Sequence, residues 1–304
     1  MYWNSLNDRL RETYGCKVYK LSLSSGCSCP NRDGTLGRRG CIFCDGAGAF
    51  AASGSIPEQL SAAKARVAQK MKRPGKYIAY FQSFTNTYGP VERLEPLYRA
   101  AMAPEDVVAL SIATRPDCLP PEMLHLLGRL NQEKPVWVEL GLQTIHPASA
   151  DFIRRGYPLS CYDQAVRDLK TAGLTVIVHQ ILGLPGETAE AMEATTRYIG
   201  SSGADGIKFH LLHVLRGTDL ATEWALGRVP ELTLPAYLAL LERCVEALPR
   251  EVVIHRLTGD GAKRDLLSPK WSGDKKRVLN AIHQSFRDHD VEQGRTAARP
   301  DTIC

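Results

Sequence analysis

The sequence lacks any run of about 18 consecutive apolar residues, the length that a helix needs to cross a bilayer. Its first residues, MYWNSLNDRLRETYG, contain no apolar segment between a basic start and a small-residue cleavage site, so they do not read as a secretion signal. These two absences favour a cytoplasmic protein in a reducing compartment, with no membrane partner.

The sequence also lacks the dense cysteine pattern of a disulfide-bonded domain. Its nine cysteines are an odd number spread over 304 residues, whereas disulfide scaffolds are short and cysteine-rich. The composition is otherwise ordinary, with 44% hydrophobic and 23% charged residues, and no stretch has the low complexity of a linker. We therefore expect a globular protein with a large core and no disulfide framework.

The net charge of +5 is unevenly distributed. Residues 250–287 contain nine basic and four acidic side chains, an excess of five. Residues 64–76 contain six basic side chains and no acidic one. Such stretches indicate either a solvated basic surface or a surface that binds a polyanion, and the sequence leaves both interpretations open.

Seven short apolar runs, each of strand length, recur along the chain and alternate with segments typical of helices. They are KVYKLSL (17–23), YIAYF (77–81), VVALSIA (107–113), VWVELGL (136–142), LTVIVHQIL (174–182), IKFHLL (207–212) and EVVIH (251–255). This alternation predicts an α/β fold made of parallel βα units, as a barrel or partial barrel. We expect a core over residues 1–250 and a basic C-terminal extension over 251–304, with a frayed tail after residue 288.

Four cysteines lie in the loop GCSCPNRDGTLGRRGCIFCDG, residues 26–46, directly after the first predicted strand. Cys41 and Cys44 form a C-x-x-C pair, Cys29 precedes Cys41 by twelve positions, and Cys27 stands two before Cys29. A closed zinc site usually has two such pairs, whereas a cluster held by three thiolates leaves one iron open to another ligand. The spacing alone leaves zinc and an iron–sulfur cluster equally open.

Small, polar or glycine-containing segments follow several of the predicted strands. They are YFQSFTNT, ATRPD, ELGLQT and ILGLPGET. Because the carboxyl ends of parallel strands meet at one end of a barrel, these loops should surround the cysteine loop. Together they predict a pocket for a large polar ligand beside the thiols.

With these motifs the sequence resembles the radical S-adenosylmethionine (SAM) enzymes, and within them the branch near the catalytic subunit of elongator. That branch has a long gap before its C-x-x-C pair, as in SCPNRDGTLGRRGCIFC. The remaining motifs also fit, from Lys17 to about Ile282: YFQSFTNTY, TRPDCLP, ELGLQT, LGLPGET, KFHLLHVLRGT and LLSPKWSGDKKRVLNAI. The resemblance implies a partial (β/α)6 barrel.

The resemblance also implies the cofactors and their ligands. Cys29, Cys41 and Cys44 would bind three irons of a [4Fe–4S] cluster, SAM would bind the fourth iron, and Cys27 would not be a ligand. Six residues would contact SAM: Gln82, Ser83, Thr85, Gln143, Arg155 and His179. The family has a glycine-rich motif where this sequence has Gln82 to Thr85, so contacts there would come from polar side chains and carbonyl groups.

The alternation of β-strand side chains places Lys208 and His210 on one face of the sixth predicted strand, opposite Ile207, Phe209 and Leu211. We expect the polar face to line the barrel. Lys208 and His210 are therefore candidate catalytic residues, and the alternative is that they only fill a polar layer of the barrel interior.

The activity implied by the resemblance is that of an enzyme of oxidoreductase or transferase type. The reduced cluster would cleave SAM to a 5′-deoxyadenosyl radical, which would remove a hydrogen atom from the substrate. An electron donor such as flavodoxin or ferredoxin is implied, and the elongator-like branch favours tRNA, at the wobble uridine, as substrate. The alternatives are a radical SAM enzyme acting on a small metabolite and a non-catalytic, zinc-stabilised RNA-binding protein. Acetyl transfer is not expected.

Overall fold

A computed structural model describes residues 2–45, 53–69, 71, 73–259 and 263–297. Part of the basic stretch at 64–76, Lys70 and Lys72, lies outside the described residues, as do residues 298–304 of the predicted tail. Within the described ranges, no helix is both long enough and apolar enough to span a bilayer.

Seven parallel strands form a curved sheet, a half-barrel, and their order in the sheet follows their order in the chain. They are β1 (Val18–Leu23), β2 (Lys76–Phe81), β3 (Val107–Thr114), β4 (Val136–Gln143), β5 (Thr175–Leu182), β6 (Gly206–Leu211) and β8 (Val253–Arg256). A short antiparallel pair, β7 (Val214–Leu215) and β9 (Leu266–Ser268), lies beside it. The predicted partial barrel is confirmed, and each of the seven predicted runs overlaps one strand of the sheet.

Helices connect the strands and cover the outer face of the sheet. They are α1 (Leu6–Tyr14), α2 (Pro30–Asp33), α3 (Ile56–Ala68), α4 (Val91–Met102), α5 (Pro121–Glu133), α6 (Pro147–Phe152), α7 (Leu159–Thr171), α8 (Ala189–Ser201), α9 (Asp219–Ala225), α10 (Leu234–Ala247) and α11 (Lys275–Asp288). Several begin with a proline in the first turn or a threonine cap, where these residues satisfy or avoid unpaired amides. The Thr188 and Thr233 side chains, for example, accept hydrogen bonds from the first turns of α8 and α10.

Strand β4 illustrates how the two faces of the sheet differ. Val136, Val138 and Leu140 point outward and are fully buried in the main apolar core. Glu139, also fully buried, points to the opposite face, into the barrel interior. The alternation of side chains along the strand therefore places apolar residues under the helices and polar residues in the interior of the barrel.

The edges of the half-barrel, β1 and β8, are both contacted by helix α1. Just before α1, Ser5 forms an isolated β-bridge with Ile254 of β8. The N-terminal segment therefore covers the side opening between the two edge strands.

The C-terminal region is packed more closely than the sequence predicted. Strand β8 belongs to the sheet through its pairing with β6, although it lies in the predicted extension over 251–304. Gln293 accepts a hydrogen bond from the Asn4 amide and donates to the Pro249 and Val252 carbonyls. The prediction of a frayed tail is therefore wrong for residues 289–297, because Gln293 and Val291 are buried there. The division after residue 250 stays a prediction.

Candidate functional site

A cleft of ≈ 270 Å³ opens at the carboxyl ends of the strands. It brings together nine of the eleven residues singled out from the sequence, namely Cys29, Cys41, Cys44, Gln82, Thr85, Gln143, Arg155, His179 and His210. Ser83 and Lys208 do not line it.

The cysteine loop is held in place by hydrogen bonds around the thiols. Cys29 stands directly before the short helix α2, and the Arg32 and Asp33 amides of that helix donate to its carbonyl oxygen. The Asn31 amide donates to the Arg154 carbonyl at 2.7 Å and lies 3.5 Å from the Cys41 sulfur. Arg32 donates to the Cys44 carbonyl at 2.7 Å. The loop is therefore anchored on both sides of the C-x-x-C pair.

The chemistry of the three thiols fits a cluster. Burial raises the pKa of the Cys41 thiol to about 11, so this thiol stays protonated at neutral pH unless a metal replaces the proton. Among the described residues, no three His, Cys, Asp or Glu side chains converge on one ion position. A [4Fe–4S] cluster does not require such convergence, because each of its irons takes a separate thiolate.

Cys27 lies apart from this group. It is buried in the apolar core, does not line the cleft, and its sulfur accepts a hydrogen bond from Arg93 at 2.8 Å. This position supports the prediction that Cys27 is not a cluster ligand.

The loop after β2 is fixed to the cysteine loop through Asn86. The Asn86 amide donates to the carbonyls of Phe81 and Ala113, and its oxygen accepts from Ser25 at 2.7 Å. The Thr85 amide donates to the Ser28 carbonyl. Gln82 and Thr85 thus face the cleft from a rigid loop.

The end of β4 is irregular where it meets the cleft. Its pairing with β5 shifts between Leu140 and Gln143, and Gln143 has a φ of 70°, in the left-handed region that non-glycine residues rarely adopt. The Arg155 guanidinium donates to the carbonyls of Leu142, Thr144 and Tyr157 at 3.4, 2.6 and 3.1 Å. Arg155 therefore supports this irregular backbone, and its predicted contact with SAM stays a prediction.

Below the cleft, the Glu139 carboxylate is the centre of a buried polar network. It accepts hydrogen bonds or ion pairs from five side chains: Lys20 at 2.9 Å, Tyr80 at 2.8 Å, Ser111 at 2.6 Å, His179 at 2.8 Å, and Lys208. Burial alone would raise the pKa of Glu139, but the two lysines and His179 hold it well below its ordinary value. Glu139 is therefore an ionised carboxylate inside the barrel.

The two histidines at the cleft are neutral. Burial lowers the pKa of His179 to about 4 and that of His210 well below its ordinary value. Their rings lie 5.0 Å apart, and the His210 Nε2 atom is buried without a hydrogen-bond partner among the described residues. Lys208 lies deeper, bound to Glu139 and 3.1 Å from the Tyr80 hydroxyl. Of the two candidate catalytic residues, only His210 faces the cleft.

Four charged cleft residues were not chosen from the sequence: Arg32 in the cysteine loop, Glu139, Arg115 and Arg256. Arg115 follows the last residue of β3 and pairs with Asp117 at 2.7 Å, and Arg256 is the last residue of β8. Their positions at or just after the carboxyl ends of predicted strands are the signal that could have identified these two arginines. For Glu139 the signal is the alternation of strand side chains, which places it on the same face as Gly141 and Gln143.

A parallel half-barrel with three cysteine thiols and a polar cleft at the carboxyl ends of its strands is the arrangement of an enzyme that works through a bound cofactor. The sequence matches the Radical SAM superfamily over residues 34–199 and the Radical SAM C-terminal domain over residues 204–288. The chain belongs to the radical SAM superfamily, whose members use a [4Fe–4S] cluster and SAM. The predicted family and cofactors are confirmed.

Individual relatives agree with this assignment. The chain is 41% identical over 297 residues to the uncharacterised protein YtqA of Bacillus subtilis (strain 168), covering 96% of this chain and 92% of that protein. It is 28% identical over 156 residues to a tRNA uridine(34) acetyltransferase of Methanocaldococcus jannaschii, covering 50% of this chain and 28% of the relative. The solved structure of Elp3 from Methanocaldococcus infernus shares the fold, with a TM-score of 0.69 at 16% identity, covering 91% of this chain and 64% of that one.

Proposed function

We propose that this radical SAM enzyme modifies tRNA, with the wobble uridine as the leading site, and that flavodoxin or ferredoxin supplies its electrons. When bound, the cluster and SAM supply a 5′-deoxyadenosyl radical that removes a hydrogen atom from the substrate. The observation that carries the chemistry is the grouping of Cys29, Cys41 and Cys44 at one polar cleft. The similarity to a tRNA uridine(34) acetyltransferase supports the choice of substrate.

The residues around the cleft divide into those that would hold the cluster and those that would contact SAM. The three cysteines would hold the cluster, and Gln82, Thr85 and Gln143 would contact SAM beside it. The position of Ser83 outside the cleft lining does not support a side-chain contact to SAM.

Deeper in the barrel, Glu139 accepts a hydrogen bond from the His179 Nε2 atom and so fixes the ring that would contact SAM. Among the described residues, the buried His210 Nε2 atom has no hydrogen-bond partner, and we propose that the substrate supplies one. Lys208 would keep Glu139 ionised from below rather than touch the substrate.

A basic surface next to the cleft supports an RNA partner. Lys275, Lys276 and Arg277 are exposed in the first turn of α11, where cations oppose the helix dipole and an anionic partner would relieve that cost. Lys275 lines a second cavity, of ≈ 650 Å³, and Arg256 lines both this cavity and the cleft. RNA bound to α11 would therefore lie close to the cofactor site.

We expect tRNA binding to weaken strongly when Lys275, Lys276 and Arg277 are all replaced by Glu. Each phosphate contact contributes roughly 0.7–0.9 to the slope of log affinity against log salt concentration, so the slope should also become shallower. The measurement is a salt titration of tRNA binding to the wild type and the triple variant, with iron content as the control for an intact cluster.

A matched control is the exposed Arg129→Glu change in α5, because Arg129 and its partner Glu95 line neither the cleft nor the second cavity. This variant should bind tRNA like the wild type. Equal affinities and equal slopes for wild type and triple variant would remove the support for RNA and favour a small-metabolite substrate.

A further inference from the structure

Phe84 is an exposed aromatic residue at the rim of the cleft. Among the described residues, three large apolar side chains are exposed, Leu36, Phe84 and Leu226, and of these three Phe84 lines the cleft with the cysteines. A single exposed apolar side chain is ordinary on a protein surface, but this ring lies in the lining of a ligand cleft. Its position beside the thiols therefore needs an explanation.

The backbone at Phe84 is held in an unusual conformation. Its φ is 63°, in the left-handed region that bulky residues rarely adopt. The residues that follow fix it there, because Thr85 is bonded to the cysteine loop, and Asn86 is bonded to two carbonyl groups and to Ser25. A strained backbone conformation of this kind persists only where neighbouring contacts hold it in place, and such conformations cluster at ligand sites.

The surroundings of the ring indicate what kind of ligand would cover it. The Arg32 guanidinium carbon lies 5.9 Å from the centre of the Phe84 ring, and Arg32 is itself anchored on the Cys44 carbonyl. An aromatic ring beside a guanidinium group is the combination on which unpaired RNA bases stack, because every base has a flat π face. A phosphate attached to the same nucleotide would also be attracted to the arginine.

We infer that Phe84 is a stacking platform that holds one unpaired base of an RNA loop at the mouth of the cleft. This inference rests on the proposed function, since it takes RNA as the substrate, and it names the part of the site that would receive the base. By stacking on the ring, the base is held outside the stack of its neighbouring RNA bases. Its edge can then face His210 and the cofactor.

The test uses the cluster-loaded full-length protein and an anticodon stem–loop RNA as the probe. Phe84→Ala and Phe84→Leu should each weaken binding about 5- to 100-fold, because both remove the π face. Phe84→Trp should keep the affinity, and its indole emission should be quenched as RNA is added. Leu226→Ala, which removes an exposed apolar side chain away from the cleft, should bind RNA like the wild type.

The outcomes separate the inference from the proposed function. If Phe84→Leu binds as tightly as the wild type, or the indole of Phe84→Trp is not quenched, the platform is overturned while RNA remains the substrate. If the wild type itself does not bind the RNA at low salt, the proposed RNA function fails and the platform fails with it. Equal iron content in all variants shows that any loss of binding is not a loss of the cluster.

Discussion

Cys29→Ala, Cys41→Ala and Cys44→Ala are each expected to abolish the iron–sulfur absorbance of the anaerobically purified protein. Each thiolate would bind a separate iron, and the described part of the cleft contains no other cysteine, aspartate or free carboxylate that could replace it, because Glu139 is already bound by two lysines. Iron and sulfide content, together with formation of 5′-deoxyadenosine from SAM, measure the effect.

The matched control for these variants is Cys27→Ala. Cys27 lies in the same loop but packs in the core against Arg93, so the variant should keep its cluster. Cys118→Ala, Cys161→Ala and Cys244→Ala should keep it as well, because none of these residues lines the cleft. Loss of the cluster in Cys27→Ala together with its retention in Cys29→Ala would contradict the assignment of ligands.

Glu139→Ala is expected to lower the free energy of unfolding by about 3–5 kcal/mol, because it removes the carboxylate that binds both Lys20 and Lys208 and leaves the buried Lys208 amine without its counter-charge. Glu139→Gln preserves the shape of the side chain and some of its hydrogen bonds, so its loss should be smaller. Denaturant unfolding of both variants and of the wild type measures the difference.

The same network predicts how stability depends on pH. Because the pKa of Glu139 is lowered on folding, its contribution is complete at neutral pH, begins to fall near its ordinary value of 4.5, and is lost as the pH drops through the folded value. Glu139→Ala should therefore flatten the acid limb of the stability curve. Glu95→Ala, which removes a carboxylate from a surface pair with Arg99 and Arg129, should have no resolvable effect. Equal stability of Glu139→Ala and wild type would show that the buried network is not what holds the barrel interior.

The sequence predicts the strands of the half-barrel well, because each is a short apolar run of strand length between segments typical of helices. It also places Cys29, Gln82 and Gln143 at one end of the barrel, since the carboxyl ends of parallel strands must meet there. The opposite faces of β6 follow from the same alternation, which puts Lys208 in the interior and Phe209 in the core.

The contacts across the barrel could not be predicted in this way. Lys20 and Glu139 are 119 residues apart, and their ion pair depends on the register and curvature of four strands. The three carbonyl contacts of Arg155 depend on the irregular end of β4, which no propensity indicates. The segment after residue 288 is polar, and polar ends are typically frayed. The sequence does not show that the Gln293 side chain donates hydrogen bonds to two carbonyl groups more than 40 residues away.

The central claim is that this cluster-dependent chemistry modifies tRNA, and the most direct measurement compares the modified nucleosides of tRNA from cells that lack the gene. Each culture carries the wild-type gene, the Cys41→Ala gene or an empty vector. We expect one modified nucleoside to appear with the wild type and to be absent with Cys41→Ala and with the empty vector. Identical nucleoside profiles in all three cultures would contradict the account.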